Sequence, residues 1–344
     1  MTLPPLKHGP WRLTDLRDTT PNGLTVFSCF HCAGGSSMGY KLAGYEVVGG
    51  VEIDSRMMDL YRANHAPRHS YLMGIETFNG LDTSILPSEL LDLDILDGSP
   101  PCSSFSMAGA RERHWGTLKM FREGQQVQVL DDLFGHFLVT VNKLRPKVVV
   151  AENVKGMLTG HARGYVAEVL RGFREIGYQC QIFLLNAAKM GVPQARERVF
   201  FVANRIDKTL SLSFAEAPIS LHEAIHDVRP VSPRLMTRRR AYNWHQTSIG
   251  DRFGGMVPQT MTPLIRCDPT KPVPTLTANN CCVLYHWSEC RELQQRELNR
   301  IQTFPDDFDF GRERISYVCG MSVPPYMMQR LSRQIAHQFF DRSL

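Results

Sequence analysis

The sequence predicts an α/β chain, a doubly wound sheet followed by a smaller loop-rich domain. Three observations predict it. Short apolar, β-rich runs alternate with helical stretches from Leu24 to about Asn204, a glycine-rich turn follows the first run, and the alternation stops after Asn204.

Each element has its own signal. The first run, residues 24–30, leads into Phe30-His31-Cys32-Ala33-Gly34-Gly35-Ser36-Ser37-Met38-Gly39. Glycines there let the backbone approach a ligand, with helix N–H groups facing it, although they also suit plain helix–strand packing. The next run, 45–53, closes on Val51-Glu52-Ile53-Asp54, and an acid about 20 residues beyond the glycines suits ribose hydroxyls. The run 91–96 passes into Asp97-Gly98-Ser99-Pro100-Pro101-Cys102, a cysteine in a stiff turn just past a strand end. Alone, it reads equally as a buried free thiol. The run 147–152 stops on Glu152-Asn153-Val154, which puts a carboxylate at the rim of the sheet. Residues 178–185 and 199–203 supply two more strands, and 127–144 and 165–176 two helices. Before the last strand, alternation along Gln194-Ala195-Arg196-Glu197-Arg198 places Gln194, Arg196 and Arg198 on one face, a charged edge if read in isolation. Helical pattern returns at 289–302 and, behind Pro324-Pro325, at 325–340. The expected division is a large domain at 1–204, a small one at 205–285, and a segment 286–344 that returns to the large domain.

The 344 residues are 43% hydrophobic and 21% charged, enough for one sizeable core and a second unit. No apolar stretch approaches the roughly 20 residues of a membrane span, and residues 1–11 lack the apolar centre of a secretory signal, so a cytoplasmic protein is expected. Nine cysteines, an odd number, argue for reduced thiols rather than a disulfide framework. Cys29 and Cys32 form one C-x-x-C without a second pair at zinc-site spacing, so no metal is expected. The net charge of +5 is compatible with a polyanionic partner, and its distribution says more. Six arginines (229, 234, 238, 239, 240 and 252) lie between Arg229 and Arg252 against one acid, Asp251, with Tyr242, Trp244 and His245 interleaved. That mixture suits phosphate contacts and base-edge readout, and a solvated charged face is its plainer reading.

Taken together and in order, these segments resemble the DNA cytosine-C5 methyltransferases. Phe30 to Gly39 look like that family's first cofactor motif. Pro101-Cys102 resembles its Pro-Cys motif, Glu152-Asn153-Val154 its Glu-Asn-Val motif, and Gln194, Arg196 and Arg198 its Gln-x-Arg-x-Arg motif. Arg266 with Pro274-Thr275-Leu276-Thr277, and Gly320-Met321-Ser322-Val323-Pro324-Pro325, match two later ones. The resemblance implies a Rossmann-like sheet dependent on S-adenosylmethionine and a flipped-out cytosine in duplex DNA. Cys102 would add to C6, making C5 nucleophilic toward the sulfonium methyl. Glu152 would protonate N3, Arg198 would contact the cytosine carbonyl and orient Glu152, and Arg196 would support the thiolate or a phosphate. For the cofactor, Phe30 and Ile53 would flank adenine and Glu52 bind ribose. Gly34, Gly35 and Pro101 would line the site, and Ser322 would lie near the methionine end. The chain departs from the family at Cys32 (usually glycine), at Met321 (usually asparagine) and at Met73-Gly74-Ile75, which lacks the usual aspartate. Residues 103–128 look like the mobile catalytic loop.

Residues 205–285 would hold the target-recognition domain, with Gln194, Arg234, Arg238, Arg239 and Arg240 as DNA contacts. The resemblance also implies base flipping, and it is compatible with a place in restriction-modification beside a restriction endonuclease acting separately; a monomer is the default expectation. Two alternatives stay open: a tRNA cytosine C5-methyltransferase, since one branch of the family shows a similar double proline, and an inactive DNA-binding regulator on the same scaffold.

Overall fold

The computed structural model describes residues 9–101, 118–119, 128–129, 133–159, 162–229, 231, 236–253, 264–278 and 283–342. Its centre is a seven-stranded sheet of β1 (Thr25–Cys29), β2 (Glu46–Glu52), β3 (His69–Leu72), β4 (Ile95–Gly98), β5 (Val148–Val154), β6 (Gln179–Asn186) and β8 (Glu197–Asn204). The two-residue β7 (Gln194–Ala195) lies outside it. The spatial order is β3-β2-β1-β4-β5-β8-β6. β1 pairs in parallel with both β2 and β4, whereas β8 runs antiparallel to β5. Strand order therefore reverses between β1 and β4, where open α/β sheets bind ligands beyond the carboxyl ends of the strands.

Burial on both faces explains the apolar runs: Val148, Val149 and Val150 are wholly buried, as are Phe200, Phe201 and Val202. α1 (Gly35–Leu42), α2 (Ser55–His65), α3 (Ile75–Gly80), α4 (Leu133–Leu144) and α5 (Ala162–Glu175) connect the strands. Phe27, Phe78, Leu96, Phe134, Phe137, Val149 and Phe201 share one core. The sheet matches the expected α/β class with one added strand, β3. That edge strand is only partly buried and too polar to show as an apolar run.

Contacts divide the chain into two compact units, one of Asp18–Leu185, Glu197–Leu212 and Met328–Leu344, the other of Met1–Arg17, Asn186–Arg196 and Ser213–Met327. The division differs from the expected 1–204, 205–285 and 286–344. β7 groups with the second unit because it pairs in parallel with β11 (Val273–Pro274). In the same unit lie α6 (Leu221–Ile225), α7 (Arg238–Gln246), α8 (Gln295–Gln302) and α9 (Ile315–Met321). A three-stranded sheet of β9 (Arg252–Phe253), β10 (Leu264–Arg266) and β12 (Val283–Tyr285) packs there with Trp244, Leu264 and Tyr285 as its core. Of the C-terminal segment, only Met328 onward joins the sheet unit. Helix α10 (Pro325–Phe340) is tied there by Tyr45 Oη to the Ser332 carbonyl (2.8 Å) and Gln329 Nε2 to the Leu42 carbonyl (3.0 Å).

Candidate active site

The turn after β1 is compressed. Phe30, Cys32 and Gly34 have positive φ of 53°, 51° and 89°, and the Gly34 amide donates to the His31 carbonyl at 2.8 Å. Gly34 then caps α1, and a Cβ there would lie 2.2 Å from His65 Nε2, so no side chain fits. Gly35 opens the helix, where the first amides have no intrahelical acceptor. Cys32 thus adopts the left-handed conformation that the family's usual glycine takes without strain. Glu52 holds it there. At the end of β2, Glu52 Oε2 accepts from the Cys32 amide (2.9 Å), and Oε1 accepts from Ile53 (2.8 Å) and Asp54 (2.9 Å). Burial raises the proton affinity of Glu52, which the amides of Asp54, Cys32 and Ile53 oppose.

A group with an adenine ring and a ribose diol fits these features. Phe30 and Ile53 are half-buried apolar side chains at the ends of β1 and β2, and carboxylate oxygens keep lone pairs for a diol. In the second unit, described by itself, Ser322 is buried and its Oγ has no hydrogen-bond partner among the described residues. S-adenosylmethionine would be held in the sheet unit by Phe30, Glu52 and Ile53. The Glu76 carboxylate, in the first turn of α3, lies close to Gly74, where the family's aspartate is missing.

The second cluster sits one strand further along. β4 ends at Gly98, the Ser99 amide donates to the Cys29 carbonyl, and Asn153 Nδ2 donates to the Pro100 carbonyl at 3.1 Å. Asn153 therefore pins the turn that reaches Pro101, while Cys102 and most of the expected loop 103–128 lie outside the described residues. Glu152, in register with Phe200, meets Arg198 diagonally across the antiparallel β5–β8 ladder, with Nε to Oε1 at 2.9 Å and both side chains largely buried. Burial lowers the Arg198 pKa and Glu152 opposes that. A guanidinium holding one oxygen of a carboxyl at a strand rim can orient that group for proton transfer.

Asp97 went unnoticed in the sequence. It is buried on the sheet face it shares with Ser28 and Glu152, since Asp97 is in register with Ser28 and Val150, and Glu152 lies two residues on. Its carboxylate accepts from Ser28 Oγ (2.6 Å) and Tyr40 Oη (3.4 Å). Burial, with Glu152 adding to it, pushes its pKa up to about 7. An acid at the end of an apolar run was the available signal.

Two expected site residues lie buried inside the fold. Gln194 is fully buried rather than free to contact DNA: its Nε2 donates to Gln302 Oε1 (2.7 Å) and its Oε1 accepts from the Leu276 amide (3.0 Å). Arg196, 2% exposed, donates from its guanidinium to the carbonyls of Leu276 (2.9 Å) and Gly320 (3.0 Å). The alternation fails because the Arg196 amide turns back to the Gln194 carbonyl at 2.9 Å, so β7 and β8 are separate strands. Gln302 continues the network to the Ser322 carbonyl (2.8 Å).

Of the arginine-rich segment, Arg229, Arg238, Arg239, Arg240 and Arg252 are exposed, and Arg234 lies outside the described residues. Among the described residues, no group of three or more His, Cys, Asp or Glu is placed to hold a metal, and no helix is long and apolar enough to cross a membrane.

Residues 24–249 and 220–337 match the family model of the C-5 cytosine-specific DNA methylases. The chain is 30% identical to the type II methyltransferase M1.HphI of Haemophilus parahaemolyticus, over 91% of this chain and 86% of that protein. It is 28% identical to M.DdeI of Desulfomicrobium norvegicum, over 93% and 90%. In three dimensions it resembles a chain described as a DNA modification methyltransferase encoded within an E. coli prophage, with a TM-score of 0.72 at 19% identity, over 92% and 100% of the two chains. Spodoptera frugiperda DNMT2 follows at 0.65 and 16%, over 91% and 99%. These two likenesses concern the fold.

Proposed function

The chain belongs to the C-5 cytosine-specific DNA methylase family, and we propose that it methylates one specific cytosine through a covalent bond between Cys102 and ring carbon C6. It is an S-adenosylmethionine-dependent DNA methyltransferase, and that cofactor supplies an electrophilic methyl group. The observation that carries the mechanism is the buried Glu152–Arg198 pair, on the strand whose next residue, Asn153, pins the turn entering Pro101-Cys102.

Cytosine C5 is electron-poor and does not attack a methyl group unaided. Cys102, as thiolate, forms the C6–S bond, and the electrons displaced toward N3 take the proton that Glu152 carries. Arg198 holds the Glu152 carboxyl and offers its remaining N–H groups to the base carbonyl. C5, now enamine-like, gains the methyl group. The C5 proton then leaves to a base, the C6–S bond breaks, and Cys102 departs with its electron pair. The cytosine must leave the duplex stack for this, so base flipping belongs to the proposal.

The large domain at 1–204 would carry this chemistry and the segment 205–285, through Arg238 and Arg239, target recognition. Arg240 is less suited, because Glu292 lies 3.6 Å from it. A cytoplasmic location, a monomer and a restriction endonuclease acting separately fit such an enzyme. Methyl incorporation into duplex DNA and into tRNA, measured side by side, tests the reading. Duplex DNA alone should be labelled, and Cys102→Ala should lose transfer at least 1,000-fold while still binding DNA, about the cost of removing a catalytic nucleophile. Labelled tRNA would favour the RNA branch, unlabelled nucleic acid an inactive regulator, and an active Cys102→Ala would remove the nucleophile.

A further inference from the structure

Helix α7 (Arg238–Gln246) buries one side chain, half-buries Ala241 and Asn243, and exposes the rest. Trp244 is its buried side chain, and Trp244 Nε1 donates to the His286 carbonyl at 3.1 Å. Arg266 lies over the Trp244 ring at 3.9 Å and donates to the carbonyls of Trp244 (3.3 Å), Thr247 (2.7 Å) and Trp287 (2.9 Å). The guanidinium thus satisfies carbonyls that a helix C-terminus leaves open, and Thr237 caps the other end. The helix is held to the rest of its unit through the face that carries Trp244.

At about 100° per residue, that face fixes what the opposite side presents. Tyr242 and Gln246 lie about 160° from Trp244, Arg239 about 140° and Arg238 about 120°, whereas Arg240 lies only about 40° away. The contacts agree. Arg240 Nη1 is 3.6 Å from Glu292 Oε1, itself bonded to Tyr285 Oη. Arg238 and Arg239 are exposed, and among the described residues neither has an acid within ion-pair distance. Tyr242, a large aromatic ring, is 66% exposed. A ridge of Arg239, Tyr242 and Gln246 with Arg238 at its flank is cationic, can donate and accept hydrogen bonds, and contains no acid.

We propose that α7 is a recognition helix that enters the major groove of the substrate duplex and reads it through the ridge Arg239–Tyr242–Gln246, with Arg238 on the phosphate backbone and Arg240 taking no part in readout. The proposal rests on the DNA-methylating activity and goes beyond it by naming the reading side chains. Seven residues of helix span about 10 Å, which is about three base steps of 3.4 Å. Arg239 has the fork that matches the two acceptors of guanine, and Gln246 the amide that matches adenine. Two readers at opposite ends of one ridge specify two positions about three steps apart.

The test is methylation of a plasmid library with randomised sites by the full-length protein, followed by bisulfite sequencing. The variants are Arg239→Lys, Gln246→Ala and Arg240→Ala, each checked for unchanged thermal unfolding. Arg239→Lys keeps a charge for phosphate but loses the fork. It should relax one guanine position by roughly tenfold, and Gln246→Ala should relax a different position by a similar factor. Arg240→Ala should keep the wild-type motif. Wild-type motifs from Arg239→Lys and Gln246→Ala would overturn the proposal and leave α7 as a phosphate contact, while an altered motif from Arg240→Ala would overturn its exclusion. A wild-type protein that methylates no DNA would overturn the activity itself and the recognition helix with it.

Discussion

At the scale of single residues, the account depends on where protons reside. Glu152→Gln keeps the shape and a hydrogen-bonding oxygen for Arg198 but cannot transfer the proton to N3. Methyl transfer should fall by about 100-fold or more, the usual size of general acid catalysis, with DNA affinity largely kept. Single-turnover rates near wild type would remove Glu152 as the donor. Asp97 gives a separate signature in stability. Its folded pKa, about 7, lies above that of an exposed carboxylate, so its stabilising share is full at acid pH and lost as pH rises through 7. Burial is the main cause, Glu152 adds to it, and Ser28 and Tyr40 oppose it. Asp97→Asn should flatten the fall in stability between pH 5 and 8, by on the order of 2 kcal/mol relative to wild type. Urea unfolding at the two pH values measures this, and parallel profiles for the two proteins would count against it.

At the scale of elements, Gln194, Arg196 and Gln302 act as internal fasteners. They join β7 to the 276 turn, to α8 and to the segment at Gly320 and Ser322. Gln194→Ala would leave the Leu276 amide and the Gln302 amide oxygen buried without these partners, at about 1–3 kcal/mol. We expect a lower Tm with an unchanged salt dependence of DNA binding. A shallower salt slope at an unchanged Tm would return Gln194 to the DNA surface. The sequence could not separate these roles, because an extended segment read by alternation carries no sign of a turn between positions 194 and 196.

At the scale of the whole molecule, the sheet was legible because its strands are buried on both faces, so Val148–Val154 and Glu197–Asn204 stand out as apolar runs with catalytic residue types at their ends. β3 was not, being a partly buried edge. The Glu152–Arg198 pair was legible as motif residues, but their contact depends on antiparallel register across β5 and β8, which makes these two residues diagonal neighbours and leaves no local trace. Asp97, at the end of an apolar run, and Gln302, at the end of a polar helix, were missed because nothing in the local pattern shows that a polar residue is buried until its partners are known. Residues 186–196 group by contacts with the second unit, where Gln194–Ala195 pairs with Val273–Pro274, far along the sequence and so without local trace.

All the chemistry proposed here passes through one transient carbon–sulfur bond. Duplex DNA carrying 5-fluorocytosine at the target position, incubated with the protein and S-adenosylmethionine, should leave a denaturation-resistant adduct, since fluorine cannot leave C5 as a proton does. Peptide mapping should place that adduct on Cys102. Methylation of ordinary DNA by the same preparation, with no adduct formed or with the adduct on another residue, would contradict the mechanism.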